Sequence, residues 1–91
     1  MTDTERQLLN LLRERCYQEG EYTLSSGEKS AYYFDAKMLF MSSQGASLIG
    51  EVLYEKTKDL DIQAIGGLEV GAIPLATAAI FTYHQHNRVM D

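Results

Sequence analysis

One cysteine, one proline and no long apolar run set the first limits on this 91-residue chain. The lone Cys16 rules out an internal disulfide and any cysteine-rich metal centre. It falls among apolar residues of an expected helix, where a thiol serves as inert core. No stretch approaches the roughly 20 apolar residues of a membrane span. The opening Met1-Thr2-Asp3-Thr4-Glu5 is acidic and polar, unlike a secretory signal. A cytoplasmic chain without a membrane partner is therefore expected. Positive charge is scarce too: 8 Lys and Arg stand against 13 Asp and Glu, a net charge of −5. The basic residues are scattered from Arg6 to Arg88. The continuous basic face that a nucleic acid requires is missing, and no nucleic-acid partner is expected.

What is present suits a folded domain. Hydrophobic residues make up 45% and charged residues 23%, a balance that argues against intrinsic disorder. A compact chain of this size should expose about 5,300 Å² and bury about 64% of the open chain's surface. That is enough for one modest core.

Periodicity divides the chain. Thr2-Asp3-Thr4-Glu5 has capping-box spacing, and Leu8, Leu9, Leu12 and Cys16 recur at helical intervals as one apolar stripe. Gly20 is the expected stop of this helix. Tyr22-Thr23-Leu24 and Ala31-Tyr32-Tyr33-Phe34 are β-prone runs around the polar Ser25-Ser26-Gly27-Glu28-Lys29-Ser30, which predicts a hairpin. Ser42-Ser43 supply N-caps for a second helix running to about Lys58, with Ala46, Ile49, Val52 and Leu53 buried. Ile62-Gln63-Ala64-Ile65 is expected as a short apolar strand, followed by a glycine-rich turn. The only proline, Pro74, suits the first turn of a third helix. Helix, apolar strand and helix in succession suggest the opening of an α/β fold on a parallel sheet. One strand cannot make that sheet, and Val89-Met90-Asp91 looks like the start of another element. An incomplete domain is expected.

Two segments could carry chemistry. Ile65-Gly66-Gly67-Leu68-Glu69-Val70-Gly71 would end a strand and open a helix, offering free amides to a phosphate. Ala72-Ile73 stand where a Walker loop needs Lys and Ser or Thr, and the glycines do not make G-x-G-x-x-G. A structural turn and a phosphate site both remain open. In the hairpin, hydroxyls, Lys29 and adjacent rings could hold a flat, charged heterocycle, with ordinary packing as the alternative. His84 and His86 are two residues apart and would diverge on a helix, which suits a solvated helix end better than a metal site. Ser25, Ser26 and Ser30 have no visible base partner, so nucleophilic catalysis has no support.

The stretch Tyr22-Thr23-Leu24-Ser25-Ser26-Gly27-Glu28-Lys29-Ser30-Ala31-Tyr32-Tyr33-Phe34-Asp35 closely resembles the hallmark hairpin of orotate phosphoribosyltransferases. Glu19-Gly20 before it, Gly45-Ala46-x-Leu48-Ile49-Gly50 after it and Ile65 through Pro74 fall in that family's order. The resemblance implies an α/β fold of the type I phosphoribosyltransferases. Residues 1–41 would form a hood of helix and β-hairpin. Residues 42–91 would hold the first strand-helix units of a parallel sheet, incomplete. Tyr33, Phe34, Ser25 and Lys29 would bind substrate, and Gly67, Leu68, Glu69, Val70 and Gly71 would form the pyrophosphate loop. Ser25 and Gly71 stand where some members carry lysine, as in a recurrent variant of the family.

The family joins orotate to phosphoribosyl pyrophosphate (PRPP) with magnesium, giving orotidine monophosphate and pyrophosphate. Its phosphoribosyl motif, an apolar strand running into paired acids and Thr-Thr-Gly, occurs nowhere here, and its mobile basic loop is missing. Charge developing on a departing pyrophosphate must be stabilised, and a chain of net −5 without a basic cluster lacks the means. No catalytic residue and no metal ligand is assigned; magnesium belongs to the parent family and is not implied by this chain alone. The expectation is an orotate phosphoribosyltransferase-like half, inactive by itself, with orotate and PRPP as family ligands. A second copy or a complementing chain would be its protein partner. The alternative is a non-catalytic binding or dimerising module built from the same fold.

Overall fold

The computed structural model describes residues 1–90; of Glu69 and Val70 it describes the backbone alone. The first helix, α1 (Asp3–Arg15), begins at the expected capping box. The Glu5 amide donates to Thr2 Oγ1 at 3.1 Å, and the Thr2 amide donates to the Glu5 carboxylate at 3.4 Å. The two groups thus satisfy amides that the helix start leaves free. The buried stripe is rotated from the expected one. Leu11 is its most buried member, flanked by Leu8 and Leu12. The series 8, 11, 12 satisfies helical spacing as well as the series with Leu9 does. Cys16 caps the helix end and is buried, as expected for core.

Gly20 does not stop α1. The chain turns at Cys16 directly into β1 (Tyr17–Thr23), which pairs antiparallel with β2 (Lys29–Phe34). Gly20 lies inside β1 at φ +154°, where the register shifts between Glu19 and Tyr22. An extra residue in one strand needs backbone freedom, and glycine supplies it. Both strands are longer than their aromatic runs, because ladder pairing extends through polar positions such as Gln18 and Glu19. The hairpin packs on α1 alone among the described elements.

A single-turn helix, α2 (Lys37–Phe40), places Leu39 and Phe40 in the core. It leads to α3 (Ser43–Thr57), whose N-cap is Ser42. Ser42 Oγ accepts from the Gly45 amide at 3.1 Å and donates to the Leu39 carbonyl at 2.7 Å. Leu11, Cys16, Leu39, Phe40 and Ile49 form the core cluster, with Leu53, Leu75 and Ala78 packed against it.

The expected strand at Ile62–Ile65 is not formed; the described residues hold only the two-stranded hairpin sheet. A parallel strand is stable only with a neighbour to take its amides and carbonyls, and none of the described residues offers one. The last helix, α4 (Glu69–Gln85), starts before its expected position and takes Pro74 inside. It packs on α3 by a close approach at Gly50, where a Cβ would overlap Thr82 Oγ1. At the far end Tyr54 meets the edge of Tyr83 at 5.0 Å and stacks on His86 at 3.9 Å. Arg88 lies over the Tyr83 ring at 4.8 Å and donates to the Lys58 carbonyl at 2.7 Å. His86 is thus a ring in a helix-end stack, and both it and His84 are exposed, as a solvated helix end requires.

The molecule is open. It exposes 6818 Å² against the roughly 5,300 Å² of a compact chain. Its radius of gyration is 15.1 Å, where a compact domain of this length would have about 12 Å.

Candidate functional site

The hairpin's rings are sorted by the ladder. Gln18 opposes Tyr33, Glu19 opposes Tyr32 and Tyr17 opposes Phe34. Successive strand residues point to opposite faces, so Tyr33 lies on one face and Tyr32 and Phe34 on the other. Tyr17 and Tyr32 stack at 5.7 Å, and Tyr17 donates to the Glu19 carboxylate at 3.4 Å. Partial desolvation, then the Glu19 charge, push the Tyr17 phenol above its ordinary range. On the other face Tyr22 lies 5.6 Å from Tyr33 and donates to Gln18 at 3.3 Å. Tyr33 and Phe34 therefore cannot clasp one flat ring from a common face. Both are about half exposed, at 44% and 50%.

The bulge at Gly20 opens a mixed polar and apolar cleft of about 490 Å³, lined by Gly20, Glu21, Tyr22, Thr23, Lys29, Ser30 and Ala31. Lys29 stands opposite Thr23 and is the only cation between Tyr17 and Asp35, where Glu19, Glu21, Glu28 and Asp35 supply four acids. Ser25 lies exposed at the hairpin tip, outside this cleft. The cleft thus unites Lys29 with Tyr22, and through Tyr22 with Tyr33. Sequence reasoning took Gly20 as a helix stop and Tyr22 as part of the hairpin segment, assigned neither a binding role and passed over Glu21; a glycine amid a polar strand was the available signal for the bulge.

The glycine loop is separate. Leu68 is the N-cap of α4, makes no side-chain capping bond and is 89% exposed. The amides of the first turn are thus left without a side-chain cap. A Cβ on Gly67 would press on Ala72, and Gly71 lies beside Phe40. The side chains of Glu69 and Val70, both assigned to the loop by sequence, lie outside the described set. Among the described elements the hairpin makes no contact with α4, so the two candidate segments are not joined in one pocket. Among the described residues no group of three or more His, Cys, Asp or Glu could hold a metal. No helix among the described residues is long and apolar enough to cross a membrane.

No family profile matches the chain. Its sequence is 49% identical over 71 residues to the orotate phosphoribosyltransferase of Bradyrhizobium sp. strain BTAi1, covering 78% of this chain and 38% of that protein. It is 35% identical over all 91 residues to the Streptomyces coelicolor enzyme of the same name, covering 50% of it. Among solved structures, orotate phosphoribosyltransferase of Mycobacterium tuberculosis H37Rv, in complex with Fe(III) dicitrate, superposes with a TM-score of 0.80 at 36% identity. That match covers 85% of this chain and 46% of the other. The same enzyme in complex with PRPP gives 0.74 at 35% identity. The chain spans half or less of the length of these relatives. In sequence and in fold, the chain is similar to the N-terminal part of orotate phosphoribosyltransferases.

Proposed function

We propose that this chain is the base-recognising half of an orotate phosphoribosyltransferase, working only together with a second half that carries the phosphoribosyl motif. The observation that carries the reading is the match to the Streptomyces coelicolor enzyme, which runs through every residue of this chain yet takes up 50% of that protein. The geometry of the hairpin supports a role toward orotate. Lys29 offers a cation for a carboxylate, and the Tyr22–Tyr33 pair offers a flat apolar wall beside it. Gly67 through Gly71 would contribute amides to the pyrophosphate, in a cytoplasmic enzyme. Magnesium and PRPP would be held chiefly by the second half, since the phosphoribosyl motif does not occur in this sequence.

Phosphoribosyl transfer requires that negative charge leaving with pyrophosphate be stabilised in place. The hairpin has one cation against four acids, which can orient an anion but cannot neutralise a diphosphate. The chain alone, given orotate, PRPP and magnesium, is expected to leave the orotate absorbance unchanged. Turnover at an ordinary enzymatic rate would overturn the division of labour. Calorimetric titration with orotate tests the hairpin directly. Lys29→Ala and Tyr33→Ala are each expected to weaken binding, while Phe34→Ala, on the opposite face, leaves it unchanged. Equal loss in all three variants would contradict the face assignment.

A further inference from the structure

We propose that Gly20 is a positioning residue of the hairpin cleft: its bare Cα is the seat on which the Tyr22 ring lies, and that seat holds the ring against Tyr33 beside Lys29. The proposal deepens the base-recognising reading above and rests on it.

Burial in β1 gives the first sign. Six of its seven residues are exposed, and only Tyr22 is half-buried. The hairpin's other rings, Tyr17, Tyr32, Tyr33 and Phe34, are 41% to 53% exposed. No residue of either strand belongs to the core cluster. The contacts that cover Tyr22 lie within the hairpin itself.

Those contacts pass over residue 20. A Cβ built on Gly20 would stand 3.3 Å from Tyr22 Cε2, 3.5 Å from the phenol oxygen and 3.6 Å from Cζ. All three atoms belong to the outer end of the ring, so the ring is laid back along its own strand. From there the phenol donates to Gln18 at 3.3 Å, and the ring lies 5.6 Å from that of Tyr33 on the neighbouring strand. Carbon atoms rest at about 3.5–4.0 Å from each other, so a side chain at residue 20 would press on the ring. The outer end of a tyrosine is free to swing aside, and swinging aside breaks the contacts with Gln18 and Tyr33.

Two demands therefore meet at one position. The bulge sets φ at +154°, which favours glycine, and the Tyr22 ring occupies the space a Cβ would take. The bulge alone accounts for a glycine but not for the covered ring. Gly20, Tyr22 and Lys29 line the same cleft, so a displaced ring alters the wall that a flat carboxylate ligand meets beside the cation.

The test is a double-mutant cycle on the whole chain, read by proton NMR and by calorimetric titration with orotate. The Gly20 α-protons are expected to carry a ring-current shift that Tyr22→Leu abolishes. Gly20→Ala is expected to remove the contact between the Tyr22 and Tyr33 rings and to weaken orotate binding about 3- to 10-fold, the worth of one aromatic contact. Tyr22→Leu should weaken binding at least as much, and adding Gly20→Ala to it should change nothing further. Losses that simply add would mean that glycine serves the backbone alone, and they overturn the proposal. A Gly20 α-proton shift that survives Tyr22→Leu also overturns it. That measurement keeps glycine at residue 20, so it decides the matter even where Gly20→Ala unfolds the hairpin. If the shift is lost as expected but the parent chain shows no heat of binding with orotate, the base-recognising reading falls and the ring seat stands.

Discussion

The phenol of Tyr83 donates to the hydroxyl of Thr57 across 2.6 Å, tying the end of α4 to the end of α3. The direction is settled by proton count. Thr57 Oγ1 already donates its only proton to the Leu53 carbonyl at 2.7 Å, so the phenol must be the donor. The bond sits beneath the Tyr54–His86 stack and the Arg88 contact. The end of α4 is therefore held by polar geometry as well as by apolar packing.

Tyr83→Phe removes this bond and keeps the ring. A loss of about 1 kcal/mol is expected, because Thr57 retains its bond to Leu53. Tyr83→Ala also empties one of the most buried side chains in the molecule, and about 3–5 kcal/mol is expected. Urea unfolding followed by circular dichroism measures both. Equal losses would mean that packing at this position contributes nothing beyond the bond.

Gly50→Ala sets two effects against each other. Alanine favours an isolated helix over glycine by about 1 kcal/mol. Here the added Cβ would overlap Thr82 Oγ1 and stand 2.7 Å from the Ala78 carbonyl. Overpacking of this kind costs about 1–3 kcal/mol, and backbone cannot swing aside as a side chain does. Net destabilisation is expected, with only partial rescue by Thr82→Ala because the carbonyl clash remains. A variant more stable than the parent would show that α3 and α4 separate without penalty.

The capping box carries a pH signature. Bonding to the Thr2 amide, then the charge of Lys56, holds the Glu5 carboxyl below its ordinary range. A carboxyl depressed in the fold stabilises it above the unfolded pKa, and that contribution disappears as pH falls through the folded value. Glu5→Gln removes the charge that the Thr2 amide and Lys56 favour and is expected to lower stability at neutral pH. The gap between variant and parent should narrow as the pH falls below the ordinary carboxylate range. Paired urea titrations at neutral and acid pH measure this gap; a constant gap would show that the Glu5 charge contributes nothing.

Local rules made much of this molecule legible. Thr2 and Glu5 announced the start of α1, and Ser42 announced α3, because capping needs only residues within one turn of each other. The aromatic runs around Gly27 announced the hairpin for the same reason. The errors fall where distant contacts intervene. Gly20 satisfies the rule for a helix stop but is used in a bulge, since β2 offers β1 a ladder to join. Pro74 suits a first turn but lies inside α4. Lys29 was visible as a candidate, whereas its neighbours in the cleft depended on the register shift between Glu19 and Tyr22. Tyr33 and Phe34, adjacent in sequence, were parted by strand alternation.

From the sequence alone came the first helix, the hairpin and the two long helices after it, the scarcity of cations and the likeness to half of an enzyme. All of these follow from residues close together in the chain or from composition. Tertiary structure alone decided which side of α1 is buried, that α4 packs on α3 through Gly50, and that Ile62–Ile65 stays unpaired. These depend on which surfaces meet in space, and a strand exists only where another strand takes its hydrogen bonds.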